Sequence, residues 1–213
     1  METLVAISKK QTPTSYDDLR PIFMSTLWSK ILGTYIAAFT LQETRDYWKG
    51  TQHGGLRGSS TEHLLIETWD RILQSLESNK KCKSVLMTAL DFSKSFSKCT
   101  YKEILSAYSR LQASQWLLDM HKAFLEDRTM VVKVGTTISE PVRITGGAVQ
   151  GSVLGILDHN AVLESLDDEL LGIYVAKYGD DITLIESIQK LINYTKILKI
   201  TTLHTPFNPL QLN

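Results

Sequence analysis

Cysteine is nearly absent from this chain: Cys82 and Cys99 are the only two in 213 residues. Their spacing fits no zinc pattern, and one pair makes no disulfide framework. The five histidines, His53, His63, His121, His159 and His204, are scattered, with no HxxxH pair and no nearby thiol. Long apolar runs are also missing. None approaches the ~20 residues of a membrane span, and the first residues lack a signal-peptide layout. No membrane partner is expected, and a reducing compartment, nucleus or cytoplasm, is the expected setting. An excess of one charge is lacking too, since 23 basic and 23 acidic side chains cancel. Proteins that grip nucleic acid usually carry a basic excess, although a local basic stripe is compatible with a zero sum. What is present is an ordinary globular composition, 43% hydrophobic and 22% charged, which suffices to bury a core.

Strands and helices are expected to mix without strict alternation, so the class is α+β. Val5-Ala6-Ile7 reads as a short strand, and Leu27, Ile31, Tyr35 and Ala38 recur at helical spacing. The stretch Gly50–Gly58 holds four glycines and reads as a flexible separator between two subdomains. Ser59-Ser60-Thr61-Glu62 reads as a capping box with Ser59 as the cap. The helix it opens is expected to bury Leu65, Trp69, Ile72, Leu73 and Leu76. Ser84 to Leu90 reads as a strand buried on both faces, ending at Asp91. Thr100-Tyr101-Lys102-Glu103 is a second capping box, and Ser114 reads as the cap of a further helix that turns Leu117, His121, Phe124 and Leu125 inward. Thr129–Val134 and Thr137–Ile144 read as a hairpin through Gly135-Thr136. A glycine-rich turn at 146–151 leads into a helix reaching about Leu171. Ile173–Tyr178 and Ile182–Ile185 flank the tight turn Gly179-Asp180-Asp181 as a second hairpin.

Two features put acids where acids are costly. Asp91 closes an apolar strand, and Asp180-Asp181 occupy the turn of an apolar hairpin. Clustered carboxylates repel one another unless a cation neutralises them, and hard oxygen ligands suit Mg²⁺. Two such ions ~4 Å apart can activate a hydroxyl and stabilise a departing pyrophosphate. The bland alternative is a turn or a helix cap. Asp167-Asp168, near a helix end, is read that way.

Taken together, these segments resemble the reverse transcriptase motifs of non-LTR retrotransposons, in the right order. Leu90-Asp91-Phe92-Ser93-Lys94-Ser95-Phe96 resembles the block that carries the first metal-binding aspartate. Gly147-Ala148-Val149-Gln150-Gly151-Ser152-Val153-Leu154-Gly155 resembles the "PQGSVLG" block, and Tyr178-Gly179-Asp180-Asp181 the "YxDD" hairpin. Upstream, Asp18-Leu19-Arg20-Pro21-Ile22 resembles a fingers motif, and Lys9 sits where the family often has a lysine. Gln52-His53-Gly54-Gly55 with Gly58-Ser59-Ser60-Thr61 resembles "QFG…GxST", and Phe124-Leu125-Glu126-Asp127-Arg128 resembles "FLxxR".

The resemblance implies a right-hand polymerase: fingers over 1–58, a palm with interleaved fingers elements over 59–185, and a segment 186–213 leading to a missing thumb. It implies an RNA-directed DNA polymerase acting on an RNA template and a DNA primer with deoxynucleoside triphosphates. Asp91, Asp180 and Asp181 would be catalytic and bind two Mg²⁺ ions, with Mn²⁺ the alternative, and the Phe92 carbonyl would complete the metal site. Lys9, Arg20, Phe96, Gln150 and Gly151 would contact the nucleotide. Phe96 would press on the sugar as a steric gate, the two cations would neutralise phosphate oxygens, and Gly151 would leave backbone room for a base pair. Solvated cations and a core phenylalanine are the bland readings of the same residues.

Val149 replaces the usual proline of the "PQG" turn, Ser97 stands where many members have aspartate, and Asp158 and His159 fall where relatives carry apolar residues. A buried, unpaired aspartate at 158 would be costly. Two other functions stay open. One is a catalytically inactive retroelement fragment. The other is an RNA-directed RNA polymerase, whose hairpin commonly reads GDD but against which Phe96 speaks.

Overall fold

A computed structural model describes residues 2–15, 18–77, 84–92, 95–148, 151–170 and 172–187. The chain divides into two compact units, Met1–Trp48 with Phe96–Val162, and Lys49–Ser95 with Leu163–Asn213. Gln150 and Val149 of the expected glycine-rich turn, Cys82, and the segment after Ser187 lie outside the described residues.

In the first unit, β1 (Glu2–Ser8) pairs antiparallel with β2 (Leu19–Met24) and parallel with β4 (Thr129–Val134). The partner of β4 is not one continuous strand to Ile144. It is split into β5 (Thr137–Ile138) and β6 (Val142–Arg143). The register explains the split: Val134 pairs with Thr137, but Met130 pairs with Val142, so one extra residue sits in the returning strand. That is a bulge, and it falls around Pro141, which has no N–H to donate to the ladder.

Four longer helices cover this sheet's unit: α1 (Leu27–Thr44), α4 (Tyr101–Arg110), α5 (Gln115–Leu125) and α6 (Val153–Leu163), with α3 a single turn at Ser95–Lys98. The Thr100–Glu103 capping box is formed in full, and the Ser114 side chain accepts from the Leu117 amide, as the sequence predicts. On α1 the helix is as predicted but its buried residues are not those that suggested it. Gly33, Ile36, Ala37, Thr40 and Thr44 face inward, while Leu27, Ile31 and Tyr35 are exposed. The core gathers Ile36, Ile104, Tyr108, Leu117, Leu125 and Leu154, each large apolar side chain contributing about 1.5–3 kcal/mol by burial.

Asp158 is buried but not unpaired. The Tyr108 hydroxyl donates to its Oδ1 at 2.8 Å, and His121 Nδ1 lies 3.5 Å from the same oxygen. His121 Nε2 is 2.8 Å from Thr40 Oγ1, whose own proton goes to the Ile36 carbonyl. The buried acid is thus not alone: Tyr108 on α4 donates to it directly, and His121 on α5 lies beside it. Burial, then the Asp158 charge, pushes the Tyr108 phenol well above its ordinary value.

Cys99 is buried just after α3. Burial first, then the Glu103 and Asp158 charges, push its pKa up to about 12. Because the protonated form is favoured in the folded state, the thiol loosens the fold only as pH rises above its unfolded value. With Cys82 replaced by serine, Cys99 is expected to resist iodoacetamide at pH 8 for hours and to react within minutes in urea. Rapid native alkylation would contradict its burial.

Among the described residues of the second unit, a three-stranded antiparallel sheet runs in the order β3 (Val85–Leu90), β8 (Asp181–Ser187), β7 (Tyr174–Tyr178). The strand β3 is not buried on both faces. It lies at the sheet edge, and Met87 is half-exposed. One sheet face builds the core from Val175, Ile182 and Leu184 with Leu163 and Leu170, and Leu90 and Phe92 pack against it. The helix expected to run to Leu171 breaks at Glu164-Ser165 and resumes as the short α7 (Leu166–Glu169). Glu164 turns its carboxylate to the Lys49 amide and to Lys177.

The helix α2 (Thr61–Glu77) corrects two expectations. Its cap is Ser60, whose hydroxyl accepts from the His63 amide; Ser59 is instead bonded to His53 Nδ1 at 2.8 Å. Its apolar residues are not buried. Leu65, Trp69, Leu73 and Leu76 are exposed and Ile72 is only half-buried, whereas Thr68 is the buried residue. Among the described residues no helix is long and apolar enough to cross a membrane.

Candidate active site

The site in the second unit is set by strand register. Leu90 pairs with Ile182 in the β3–β8 ladder, and Tyr178 pairs with Asp181 across the β7–β8 turn. Continued one step, the first ladder brings Asp91 opposite Asp181. Directly opposed residues of an antiparallel pair project to the same face. That face is the one turned away from Val175, Ile182 and Leu184. Asp91, Asp180 and Asp181 are all exposed. The apolar face thus fixes the register, and the register places two carboxylates side by side with the third in the turn between β7 and β8.

The turn itself is Gly179-Asp180, with a positive φ of 64° at Gly179. Glycine at the first central position suits a two-residue hairpin turn. Among the described residues no group of three or more His, Cys, Asp or Glu side chains is arranged to hold a metal ion. What the sheet supplies is an opposed pair of exposed carboxylates with a third beside it, and this all-oxygen donor set fits a hard divalent cation that keeps waters of its own.

A clamp that sequence reading resolved only as a motif holds this turn. Gln52 Oε1 accepts from the Gly179 amide at 2.9 Å and from the Gly54 amide at 2.8 Å, while its Nε2 donates to the Gly179 carbonyl at 3.3 Å. On either side, the Lys177 amide donates to the Thr51 carbonyl and the His53 amide to the Lys177 carbonyl. Gly54 packs so closely that a Cβ there would lie 2.2 Å from the Gly179 nitrogen. Gly54→Ala is therefore expected to cost about 1–3 kcal/mol in urea unfolding. Gly146→Ala, whose Cβ would meet nothing closer than 3.5 Å, is expected to cost much less. Equal costs for the two would contradict the close approach.

Behind the hairpin, Lys177 is fully buried. Its ammonium is paired with Asp167 and, at 3.3 Å, with Glu164. Asp168 pairs with Lys49. The Asp167-Asp168 doublet is thus a structural one, as read from sequence, but its lysine partner inside an apolar strand was missed. Nothing in a YVAKY strand signals that its lysine points inward.

The remaining predicted residues belong to the first unit. Lys9 and Arg20 are exposed near the loop end of the β1–β2 hairpin. Ile7 pairs with Arg20, and the Lys9 amide donates to the Asp18 carbonyl at 2.7 Å, so both cations project from one face. Asp18 closes the intervening loop. Its carboxyl is held below the usual carboxylate range, chiefly by the Lys10 side chain and then by the Thr14 amide. The Phe96 ring stacks on His159, centroids 4.2 Å apart and 12° from parallel. Gly151 has φ +106°, and a Cβ there would lie 3.1 Å from the Phe23 carbonyl oxygen, so the close approach it permits in the fold is to β2. Phe92, in the second unit, packs its ring against the sheet core.

No protein-family model matches the chain. Sequence relatives exist, however. A probable RNA-directed DNA polymerase from transposon BS of Drosophila melanogaster is 26% identical over 189 residues, covering 84% of this chain and 20% of that protein. The RNA-directed DNA polymerase from mobile element jockey of the same organism is 26% identical over 200 residues, covering 89% and 21%. The curated homologues of this chain are retrotransposon RNA-directed DNA polymerases. The chain spans about a fifth of the length of each of them.

Solved structures agree on the fold. Telomerase from Candida tropicalis, in complex with a fragment of telomeric RNA, superposes with a TM-score of 0.68 at 12% identity, over 92% of this chain and 37% of that one. Telomerase from Candida albicans, also with a telomeric RNA fragment, gives 0.60 at 10% identity, over 93% and 39%. The mixed α+β architecture is that of the telomerase reverse transcriptase fold.

Proposed function

We propose that this chain is the fingers and palm portion of a retrotransposon reverse transcriptase, and that Asp91, Asp180 and Asp181 are its catalytic carboxylates. What supports this is the β3–β8 register, which ends with Leu90 opposite Ile182 and leaves Asp91 and Asp181 as the next residue of each strand beside the Asp180 turn, in a chain whose homologues are RNA-directed DNA polymerases. Asp91, Asp180 and Asp181, with the Phe92 carbonyl, would hold two Mg²⁺ ions, which when bound supply a polarised primer hydroxyl and charge neutralisation at the leaving pyrophosphate. Lys9 and Arg20 hold phosphate oxygens of the incoming nucleotide, and the guanidinium fork suits bidentate contact. Phe96 excludes a 2′-hydroxyl, and its stack on His159 fixes the ring plane. Gln150 and Gly151 are assigned to contact with the nucleotide. Residues 1–58 are assigned to fingers and 59–185 to the palm.

A second reading is a chain that keeps this fold without polymerising. The histidine lying flat against Phe96 favours it, since relatives are expected to carry an apolar residue there. Primer extension on an RNA template separates the readings. Deoxynucleotides are expected to be added in preference to ribonucleotides. A ribonucleotide preference would overturn the assignment of Phe96, and no extension with either would favour the second reading.

A further inference from the structure

The helix α1 is apolar on two sides. Gly33, Ile36, Ala37, Thr40 and Thr44 are its buried residues, facing the core of the first unit. Turned away from them, Trp28, Leu32, Tyr35 and Phe39 form a second stripe, and are 77%, 45%, 63% and 48% exposed. Trp116 of α5, 55% exposed, extends the stripe, because its ring meets the Phe39 ring edge-on with centroids 5.7 Å apart. A helix that is apolar all round is ordinarily covered all round. An exposed apolar patch of this extent marks an interaction surface.

We propose that this stripe is a homodimer interface, in which α1 of one copy packs antiparallel on α1 of a second copy about a twofold axis. Three observations select a second copy as the occupant. The first is spacing. Trp28, Leu32, Tyr35 and Phe39 are separated by four, three and four residues, a series that reads the same in both directions. An axis crossing the helix between Gly33 and Thr34 therefore sets Trp28 against Phe39 of the partner subunit, and Leu32 against Tyr35 of the partner subunit. The patch complements itself, as an isologous interface requires. Alternating steps of three and four also keep one helical stripe turned toward another along its length. At each end of the contact an indole lands beside the Phe39–Trp116 corner, and aromatic anchors of this kind dominate interface energetics.

The second observation is area. The five side chains together expose on the order of 700 Å², close to the ~800 Å² that each partner buries in a standard interface. The third is charge. Lys30 and Glu43 are the only charged residues of α1. Glu43 accepts from the Ser114 hydroxyl on α5, and Lys30 lies on the far side of the helix from the stripe. Covering the stripe with its own copy thus buries no charge and brings no like charges face to face, the two terms that usually oppose self-association. The inference uses only residues of the first unit and does not rest on the polymerase reading.

Sedimentation of the full chain tests it. The parent is expected to sediment as a dimer at micromolar concentration. Trp28→Glu is expected to raise the dissociation constant about 30-fold or more, the loss of one aromatic anchor. Trp28→Glu combined with Phe39→Lys in the same chain is expected to bring the dimer back, since the antiparallel pairing sets each glutamate against a lysine of the other copy. Should the double variant fail to fold by circular dichroism, cross-linking decides. A chain carrying Leu32→Cys, mixed with one carrying Tyr35→Cys, both with Cys82→Ser, is expected to form the mixed disulfide in preference to either symmetric one. A parent chain that stays monomeric throughout the micromolar range would overturn the proposal. So would a folded Trp28→Glu variant that dimerises as tightly as the parent, a folded double variant that stays monomeric, or cross-linking with no preference for the mixed pair.

Discussion

Replacing Asp180 with asparagine is expected to reduce RNA-templated DNA synthesis by roughly 10²–10³-fold, the loss typical of removing one electrostatic stabiliser of a transition state. Asp180 and Asp181 are exposed at the turn, and Asp91 is exposed one residue past the end of β3. None of the three is packed in the core that fixes the sheet. Asparagine preserves the shape and hydrogen-bonding capacity of the turn but carries no charge to neutralise a cation. Urea unfolding of the variant is therefore expected to match the parent within about 0.5 kcal/mol. The same split, activity lost and stability kept, is expected for Asp91→Asn and Asp181→Asn. If Asp180→Asn extended primers as well as the parent, the assignment of that residue would be wrong. A large stability loss would mean the carboxylate is structural.

The second large effect is on folding and comes from behind the hairpin. Lys177→Met is expected to destabilise the protein by about 3–5 kcal/mol. The methionine fits the volume, but Glu164 and Asp167 then face each other near the core without the ammonium that sat between them. Removing one partner of a buried pair leaves the others uncompensated, which costs more than the intact pair contributes. The compensating test is Lys177→Met with Glu164→Gln and Asp167→Asn, which is expected to recover most of the loss. If Lys177→Met alone unfolded at the parental urea concentration, the buried ion cluster would contribute nothing to the hairpin's position.

Much of this was legible in the sequence where local chemistry decides the outcome. The Thr100 capping box, the Ser114 cap and the Gly179 hairpin depend on residues within four positions of one another, and the structure forms all three. Failures came where packing decides. The periodic residues of α1 and α2 announce helices correctly, but periodicity alone does not say which stripe meets the core. In α2 the side with Thr68 and Glu67 is engaged by His53 and Tyr174 instead. The β3 strand is apolar enough to be central, yet it is an edge. Whether a strand is an edge or central depends on its partners, not on its own residues.

The candidate site divides the same way. The three aspartates are visible as motifs, but the β3–β8 register is not, because β3 reads as a continuous apolar run without an alternation to set its face. The Gln52 clamp and the buried Lys177 join residues 127 and 10–13 positions apart, so no local pattern reveals them. Asp158 looked like a flaw because its partners, Tyr108 and His121, sit on other helices.

The most direct test of the account is single-nucleotide addition by this chain on a primed RNA template, run with each of the four template bases and with Mg²⁺ supplied or chelated. The account predicts that only the complementary deoxynucleotide is added, that chelation stops addition, and that Mg²⁺ restores it. Addition that ignores the template base, or that persists under chelation, would contradict it.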